Sequence, residues 1–177
     1  MQFSVSFNVP AAADVVWPTL LDVPGIVPCI PGASLTEDLG DGNYRGNATV
    51  KVGPVQMQFA GEARIFDIDN DARSAKLSGK GADRKGRGNA SANVTFALHD
   101  RQDETVVDVT TDLQLTGAVA QYGRGAGLIK AIAEEITRQF AENLKAKLSG
   151  ADPSNQQKSL SAVSLGIGML KSSFRKS

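Results

Sequence analysis

The first residues of the chain alternate between apolar and polar side chains. From Phe3 to Val9 every second residue is apolar and those between are polar, which is the two-residue period of a half-buried β-strand. Pro10 ends this strand. The segment that follows combines helix-forming residues with four prolines between positions 18 and 31, and it predicts one or two short helices instead of one long helix.

Residues 34–116 have the pattern of about six consecutive strands. The clearest pair is a hairpin around Val52-Gly-Pro-Val55. If Val52 faces Val55, then Gly46 faces Gly61, and every inward position of one strand meets an inward position of the other. The outward positions of this hairpin are polar with one exception. We therefore expect a sheet that is covered on one face and wet on the other, which is typical of antiparallel strands.

A long amphipathic helix is predicted over residues 128–148, where apolar residues recur at spacings of three and four. Strand, short helices, several sequential strands and a final helix together predict an α+β fold, with the helix resting on the apolar face of the sheet. A long helix on a curved sheet can enclose a pocket.

The chain divides into three predicted segments, a domain at 1–148, a linker at 149–159 and a tail at 160–177. The linker is small and polar and has no periodicity, so we expect it to be flexible. The tail repeats apolar residues at helical spacing and ends in basic residues. Its candidate membrane-binding residues are Leu160, Val163, Ile167, Leu170, Lys171, Phe174, Arg175 and Lys176.

Three interpretations of this tail remain open at the level of sequence. It can lie on an anionic membrane, dock on a partner protein, or be disordered with fortuitous spacing. A helix of its length reaches only ~23 Å, which is too short to cross a bilayer core. Folding back into the protein's own pocket is a further possibility that the residues do not decide.

Charge is divided between these segments. The chain has 19 basic and 19 acidic residues, but the part before Leu148 carries a net charge of −3 and the remainder +3. An acidic body without a basic stripe argues against nucleic-acid binding. A single cysteine and an alternating N-terminus favour a reducing cytosol, and the tail favours a peripheral position on the inner face of the cell membrane.

Small residues are concentrated on the inward face of the predicted sheet. Glycines there can permit sheet coiling and close approach of the helix, or they can leave an apolar cavity for a ligand. The candidate ligand-binding residues under the second interpretation are Tyr44, Gly46, Met57, Phe59, Gly61, Ala90, Ala92, Phe96, Tyr122 and Phe140.

No catalytic or metal-binding motif is evident in the sequence. His99 is expected at the surface beside a turn, and Cys29 is expected to be a small buried apolar residue. The glycines at 123, 125 and 127 lack the final spaced glycine and the parallel crossover unit of a dinucleotide-binding loop, so we expect them to let the chain turn into the helix. We therefore assign no catalytic residue, no metal and no covalent cofactor.

Several short motifs occur together along residues 1 to about 148. They are Val16-Trp17 with Leu20 and Asp22, Cys29-Ile-Pro-Gly32, Asp41-Gly42 with Tyr44 and Gly46, Val50-Lys-Val-Gly-Pro-Val55 with Phe59 and Gly61, Gly86 with Gly88 and Ala90, and Gly117 with Ala120-Gln-Tyr-Gly-Arg-Gly125. In combination they resemble the CoxG family of carbon monoxide dehydrogenase subunits, within the START-like, or SRPBCC, helix-grip superfamily. The resemblance implies a seven-stranded antiparallel sheet that grips a long C-terminal helix over a hydrophobic pocket.

The resemblance also implies an accessory role beside molybdenum-containing carbon monoxide dehydrogenases or related quinone-reducing oxidoreductases. Together with the predicted pocket and tail, it suggests a non-catalytic protein that binds menaquinone, ubiquinone or another lipid and links the oxidoreductase to the membrane, as a quinone carrier or a membrane recruiter. One alternative is a membrane tether or assembly factor without a ligand. Another is a START-like cyclase or hydrolase, which would need polar groups that converge inside the pocket.

Overall fold

The computed structural model describes residues 1–124 and 126–150. The predicted tail at 160–177 and nearly all of the predicted linker lie outside this part of the chain. Seven strands, three α-helices and two short 3-10 helices (η) follow one another in the order β1 (Gln2–Val9), α1 (Ala13–Leu21), α2 (Val23–Ile26), η1 (Val27–Cys29), β2 (Ala33–Gly40), β3 (Asn43–Val52), β4 (Val55–Asp69), β5 (Ser74–Asp83), β6 (Gly88–Arg101), β7 (Glu104–Gly117), η2 (Ala118–Gly123) and α3 (Ala126–Leu148).

The seven strands form one antiparallel sheet in the order β1-β7-β6-β5-β4-β3-β2. Strands β2 to β7 are a meander of hairpins, and β1 lies at one edge of the sheet beside β7. The β3–β4 hairpin has the predicted register, with Val52 opposite Val55 and Gly46 opposite Gly61. The predicted α+β helix-grip fold is therefore confirmed, including the short helices after β1 and the long final helix.

Polar contacts attach helix α1 to the last residues of β6 and to the β4–β5 turn. The backbone N–H of Ala13 donates to the carboxylate of Asp100 at 3.2 Å, and Arg73 donates to the other oxygen of that carboxylate at 2.7 Å. The indole N–H of Trp17 donates to Asn70 at 3.0 Å. These bonds hold the apolar face of α1 against the sheet.

The prolines divide the next segment into α2 and η1, as expected. Asp22 caps α2 by accepting a hydrogen bond from the backbone N–H of Gly25 at 3.3 Å. After η1 the chain turns at Gly32, whose φ is +81° and whose carbonyl accepts from the N–H of Thr49 at 2.8 Å. A Cβ at Gly32 would overlap the Thr49 carbonyl oxygen, so this turn can approach β3 only with glycine.

The C-terminal half of α3 is fixed on η1 and β1. The side-chain amide of Asn143 donates to the carbonyl oxygen of Cys29 at 2.9 Å, and both residues are buried. Leu144 has no exposed surface, and the ring of Phe140 packs edge-on against Phe7 with centroids 5.6 Å apart. This region is the closed core of the protein, and its buried members are Val9, Ala13, Val16, Trp17, Leu20, Val23, Ile26, Cys29, Ile65, Ala75, Leu98, Val107 and Leu144.

A second and smaller cluster lies at the other end of α3. Its buried members are Val52, Met57 and Val119, and Ile132 of α3 packs against them together with Tyr122 of η2. Helix α3 therefore rests on packed side chains near each of its ends. Between these two supports, small residues occupy inward positions of the middle strands.

Candidate functional site

A cavity of about 510 Å³ lies between the concave face of the sheet and the first half of α3. Ligand-binding pockets in proteins typically measure about 300–1,000 Å³. Its sheet-side lining comes from the inward positions of all seven strands, including Phe3 of β1, and its roof comes from α1, α2, η1, η2 and α3. The apolar lining side chains include Leu20, Val23, Ile26, Val27, Ile30, Leu35, Ala48, Val50, Met57, Phe59, Ala63, Ile65, Leu77, Ala90, Ala92, Phe96, Leu113, Leu115, Val119, Ile129, Ile132, Ala133 and Ile136.

The space exists because small residues face one another across the middle of the sheet. Gly79 of β5 pairs with Ala63 of β4 on one side and with Ala92 of β6 on the other. A Cβ built on Gly79 would have a single neighbour within 4 Å, the carbonyl oxygen of Glu62 at 3.9 Å. The cavity is therefore open above this row of small residues.

Gly46 and Gly61 also border the cavity, but they have a different physical role. A Cβ on Gly46 would overlap the carbonyl oxygen of Ser34, and a Cβ on Gly61 would overlap that of Lys80. Both glycines therefore let neighbouring backbones come close where the sheet coils. Of the two interpretations of the small residues, coiling explains these two glycines and unfilled volume explains Gly79 and Ala92.

Nine of the ten predicted ligand-binding residues line the cavity: Tyr44, Gly46, Met57, Phe59, Gly61, Ala90, Ala92, Phe96 and Tyr122. Their position is observed, and their role in binding stays a prediction. The tenth, Phe140, does not line it. It lies one helical turn beyond Ile136, where α3 has already converged on β1, and it packs against Phe7 in the closed core.

The wall formed by α2 and η1 was not predicted from the sequence. Val23, Ile26 and Ile30 line the cavity, although their proline-broken segment has no clear period. A run of branched apolar residues between prolines was the only signal, and it does not say which way each side chain points. This wall closes the cavity on the side of the closed core.

Two tyrosines supply the hydroxyl groups among the inward-facing lining side chains. Tyr44 packs against the closed core and Tyr122 against the smaller cluster, so they lie toward opposite ends of the cavity. Burial raises the pKa of Tyr44, and the negative charges of Asp38 and Asp22 raise it further. The Tyr44 hydroxyl therefore stays protonated at neutral pH and can donate a hydrogen bond to a carbonyl oxygen of a ligand.

An ion pair between the buried Asp83 and the half-buried Arg87 braces the end of the cavity beneath η2. The carboxylate of Asp83 accepts from Nε of Arg87 at 2.8 Å and from the backbone N–H groups of Lys85 and Arg87. Arg87 also donates to the carbonyl oxygen of Gln56 at 3.1 Å, and its own carbonyl accepts from the N–H of Val119. The bonds from Arg87 hold the pKa of Asp83 well below its usual range. This network ties the β5–β6 turn to β4 and η2.

Reactive side chains lie away from the cavity in the described part of the chain. His99 is exposed on the outer face, where its Nε2 lies 3.0 Å from a carboxylate oxygen of Asp108. Cys29 is fully buried, and burial raises the pKa of its thiol. Residues 1–124 and 126–150 contain no group of three side chains placed to hold a metal ion.

A second depression, of about 720 Å³, lies on the outer face of the sheet. Two of its arginines are bonded to neighbouring side chains: Arg45 donates to Glu62 at 3.1 Å, and Arg84 donates to Asn47 at 2.7 Å. Because polar and charged side chains line this depression, it does not suit a lipid. The inner cavity is the candidate site.

The sequence model of the CoxG family of carbon monoxide dehydrogenase subunits matches residues 6–149. No curated protein matches the chain significantly. Among the helices in the described residues, none is long and apolar enough to cross a membrane.

Several solved structures have a similar fold. A conserved protein from Geobacillus kaustophilus is 21% identical, with a TM-score of 0.69 over 81% of this chain and 95% of its own. The Zhui aromatase/cyclase from Streptomyces sp. R1128 is 15% identical, with a TM-score of 0.57 over 85% and 98%. A START superfamily protein from Mycobacterium smegmatis is 15% identical, with a TM-score of 0.56 over 84% and 97%. At these identities the likeness shows the START-like fold alone.

Proposed function

Because the chain belongs to the CoxG family, we propose that it is a non-catalytic accessory protein that carries a lipid-like molecule, in the first place a quinone, for a molybdenum carbon monoxide dehydrogenase-type oxidoreductase at the membrane. The observation that carries this proposal is the cavity of about 510 Å³ under α3. Its inward-facing lining side chains are apolar apart from two tyrosines. An isoprenoid chain gains about 25 cal/mol for each Å² that such a cavity removes from water.

The size of the cavity suits the head of a quinone and the first part of its chain. The cavity volume of about 510 Å³ corresponds to on the order of 17 water molecules at ~30 Å³ each. A long isoprenoid chain would therefore extend beyond it. The hydroxyl groups of Tyr44 and Tyr122, toward opposite ends, offer hydrogen bonds for quinone carbonyl oxygens at either end.

A carrier role also answers a physical problem of the proposed partner. A soluble oxidoreductase has to pass electrons to a quinone that is dissolved in the bilayer. A small protein that shields part of the quinone and touches the membrane through a basic, apolar tail can bring the two together. The acidic body and the basic tail support this arrangement, because anionic lipid attracts the tail by ~1 kcal/mol per basic residue and repels the body.

An enzymatic role is the less favoured alternative, although a cyclase shares the fold. Acid–base catalysis needs a titratable group within reach of the substrate. The inward-facing lining side chains in the described chain offer two phenols, while His99 lies on the outer face and Cys29 lies in the closed core. The cavity therefore favours holding a ligand over transforming it.

The first test is to identify the molecule that co-purifies with the protein. We expect organic extraction of protein from a membrane-containing host, followed by mass spectrometry, to release a quinone. Ala92→Phe should reduce the recovered amount severalfold, because the ring would fill the space beside Gly79. Ala82→Phe is the matched control, since Ala82 lies on the outer face of the same sheet. Recovery of equal amounts from both variants, or of nothing from the wild type, would contradict carriage.

The second test addresses the membrane. We expect the full chain to float with vesicles that contain phosphatidylglycerol, and Ile167→Glu to reduce flotation because it places a charge in the apolar stripe. Ser172→Glu adds the same charge at a position that a helix turns away from the stripe. Equal flotation of the two variants would remove the membrane from the proposed function and leave a carrier that meets its partner in solution.

A further inference from the structure

The sheet has two edge strands, β1 and β2, and they differ in how they are protected from further pairing. The register of β2 against β3 shifts twice, after Leu35 and after Asp38, and β2 carries two acidic side chains. Bulges and charges of this kind keep an edge strand from pairing with another chain. Strand β1 pairs with β7 without a shift, and its eight residues include neither a charged residue nor a proline. In the described residues, β1 has no strand on its other side.

The free edge of β1 is formed by the backbone of its even-numbered residues. The amino group of Met1 donates to the carbonyl oxygen of Leu113 at 3.0 Å, and the N–H of Leu113 donates to the carbonyl oxygen of Met1 at 2.7 Å. Because such hydrogen-bonded pairs alternate along an antiparallel ladder, the odd-numbered residues of β1 bond to β7. The residues whose backbone N–H and C=O groups point away from the sheet are Gln2, Ser4, Ser6 and Asn8. Their side chains are exposed.

Apolar side chains at this edge are incompletely covered. Phe3, Val5 and Phe7 point to the inner face of the sheet but are only half-buried, whereas Val107 on the neighbouring strand β7 is 1% exposed. Phe3 also lines the cavity. A strand added beside β1 would therefore pair free backbone groups and cover apolar side chains in the same step.

The polar positions of β1 are complementary to those of a second β1. When two antiparallel copies cross at Val5, each even-numbered residue faces another even-numbered residue. The polar pairs are then Gln2 with Asn8 and Ser4 with Ser6. These are the residues whose backbones point to the free edge, so every outward N–H and C=O group among them finds a partner.

The apolar positions match in the same register. Val5 faces Val5, and Phe3 faces Phe7, in pairs without backbone hydrogen bonds, where opposing side chains lie closest. A register shifted by two residues would place Pro10 opposite Gln2, and Pro10 has no N–H to donate. The strand therefore has one register that uses all of its free backbone groups.

We infer that a second copy of the chain adds to the sheet at β1, so that the two β1 strands pair antiparallel and two seven-stranded sheets become one. The twofold axis at Val5 is perpendicular to the sheet, so both α3 helices lie on the same side of it. Phe7 of each copy covers Phe3 of the other, and each copy thus contributes an apolar side chain beside the cavity of its neighbour. One pair of short strands buries less than a standard interface of ~1,600 Å², so the dimer is reversible and forms as the protein concentration rises.

The first test is the concentration dependence of assembly. The full-length chain is studied by sedimentation equilibrium without lipid, and we expect a monomer–dimer equilibrium for the wild type. Ser4→Pro removes an N–H that points to the free edge, where an edge strand tolerates proline. Both copies lose this donor in the dimer, so the dissociation constant should rise ~10-fold or more. Ser4→Ala is the matched control, because it keeps the N–H and loses only the hydroxyl that is hydrogen-bonded to Thr110, and it should leave the constant nearly unchanged.

The second test is a crosslink at the twofold axis. Two copies of Val5→Cys would have Cα atoms ~4.5 Å apart, within the range that a disulfide spans. Val109 pairs with Val5 and is also half-buried, but in the dimer its two copies lie three strand spacings, or ~14 Å, apart. We therefore expect Val5→Cys to form a disulfide-linked dimer under mild oxidation several times faster than Val109→Cys. The native Cys29 does not interfere because it is fully buried.

The outcomes that overturn the inference are distinct. A wild type that stays monomeric at every concentration would remove the dimer. Equal dissociation constants for Ser4→Pro and Ser4→Ala would place the contact on another surface, the tail included, because the tail is the same in all of these proteins. If Ser4→Pro lowers Tm strongly, the crosslinking rates decide alone, and equal rates for the two cysteine variants overturn the pairing. Each of these results leaves the carrier role standing, since that role is tested by the molecule that co-purifies.

Discussion

The two halves of the space beneath α3 are formed by the same sheet and the same helix, yet one is filled and the other is open. In the closed core, Val9, Val107 and Leu144 meet with almost no exposed surface. Over the middle strands, Gly79 and Ala92 leave a cavity. The backbone architecture is continuous, so the difference comes from the size of the inward side chains and from where α3 is supported. A helix-grip fold can thus combine a closed core with an open cavity.

The largest effect should come from deleting volume in the closed half. We expect Leu144→Ala to lower the free energy of unfolding by about 3–5 kcal/mol, because it leaves a sealed void among fully buried neighbours. Ile136→Ala removes the same number of carbon atoms but only widens a space that already exists, and should cost about 1 kcal/mol. Urea denaturation of both variants measures the difference, and equal losses would mean that the two halves are packed alike.

Adding volume should also destabilise the closed half more than the open half. Val107→Phe overpacks the closed core and should destabilise the protein by about 1–3 kcal/mol. Ala92→Phe enters the cavity and should change stability by less than about 1 kcal/mol, or about 2–4 °C in Tm. Thermal unfolding of the two variants tests this. A large loss for Ala92→Phe would show that the cavity cannot accept a ring.

The polar clamp of the closed half should have a smaller effect. We expect Asn143→Ala to cost about 1–2 kcal/mol, because the buried carbonyl of Cys29 loses the amide donor that lies 2.9 Å away. Gln139→Ala is the control, since its amide bonds to Glu135 on the exposed face of α3, and it should cost under about 0.5 kcal/mol. Urea denaturation measures both losses. Equal losses of unfolding free energy for the two variants would show that the hydrogen bond from Asn143 is dispensable.

The smallest effect concerns the ion pair that braces the open half. Because the folded state holds the pKa of Asp83 below its ordinary value of 3.8, the pair contributes stability above that pH and loses it as the pH falls. Between pH 7 and about pH 3 the protein loses only the first part of the stability that this pair contributes. We expect unfolding free energies measured between pH 7 and pH 3 to fall less steeply for Asp83→Asn than for the wild type. Asp103→Asn, in an exposed turn, should keep the wild-type slope; the same slope in all three proteins would contradict this role.

The sheet could be predicted well from the sequence because side chains alternate between the two faces of a strand. In the β3–β4 hairpin, the predicted register places every inward residue opposite another inward residue. That parity also explains why Met57, Phe59, Ala92 and Phe96 were correctly expected on the inner face. Helical periodicity is less informative, since it assigns a face but no position along the axis. Phe140 was therefore expected in the cavity, whereas it packs against Phe7 in the closed core.

Composition could not separate two uses of glycine. Gly61 and Gly79 are both inward glycines of neighbouring strands, and only the position of the Lys80 carbonyl oxygen shows that a side chain at Gly61 would strike backbone. Such contacts depend on the coiling of the sheet, which no local pattern encodes. The α2–η1 wall was missed for a similar reason, because prolines remove the periodicity that would indicate the direction of Ile26 and Ile30.

The position of β1 has a consequence for how the molecule assembles in time. Strand β1 is made first, but it pairs with β7, whose residues follow roughly a hundred positions later. The hairpins from β2 to β7 close short loops and can form one after another, whereas the β1–β7 pair has the largest loop-closure entropy to overcome. Helix α3 packs on β1 and η1, so we expect it to dock stably only once β1 is held in the sheet. We therefore expect the cavity to form at the last step of folding, after all seven strands have paired.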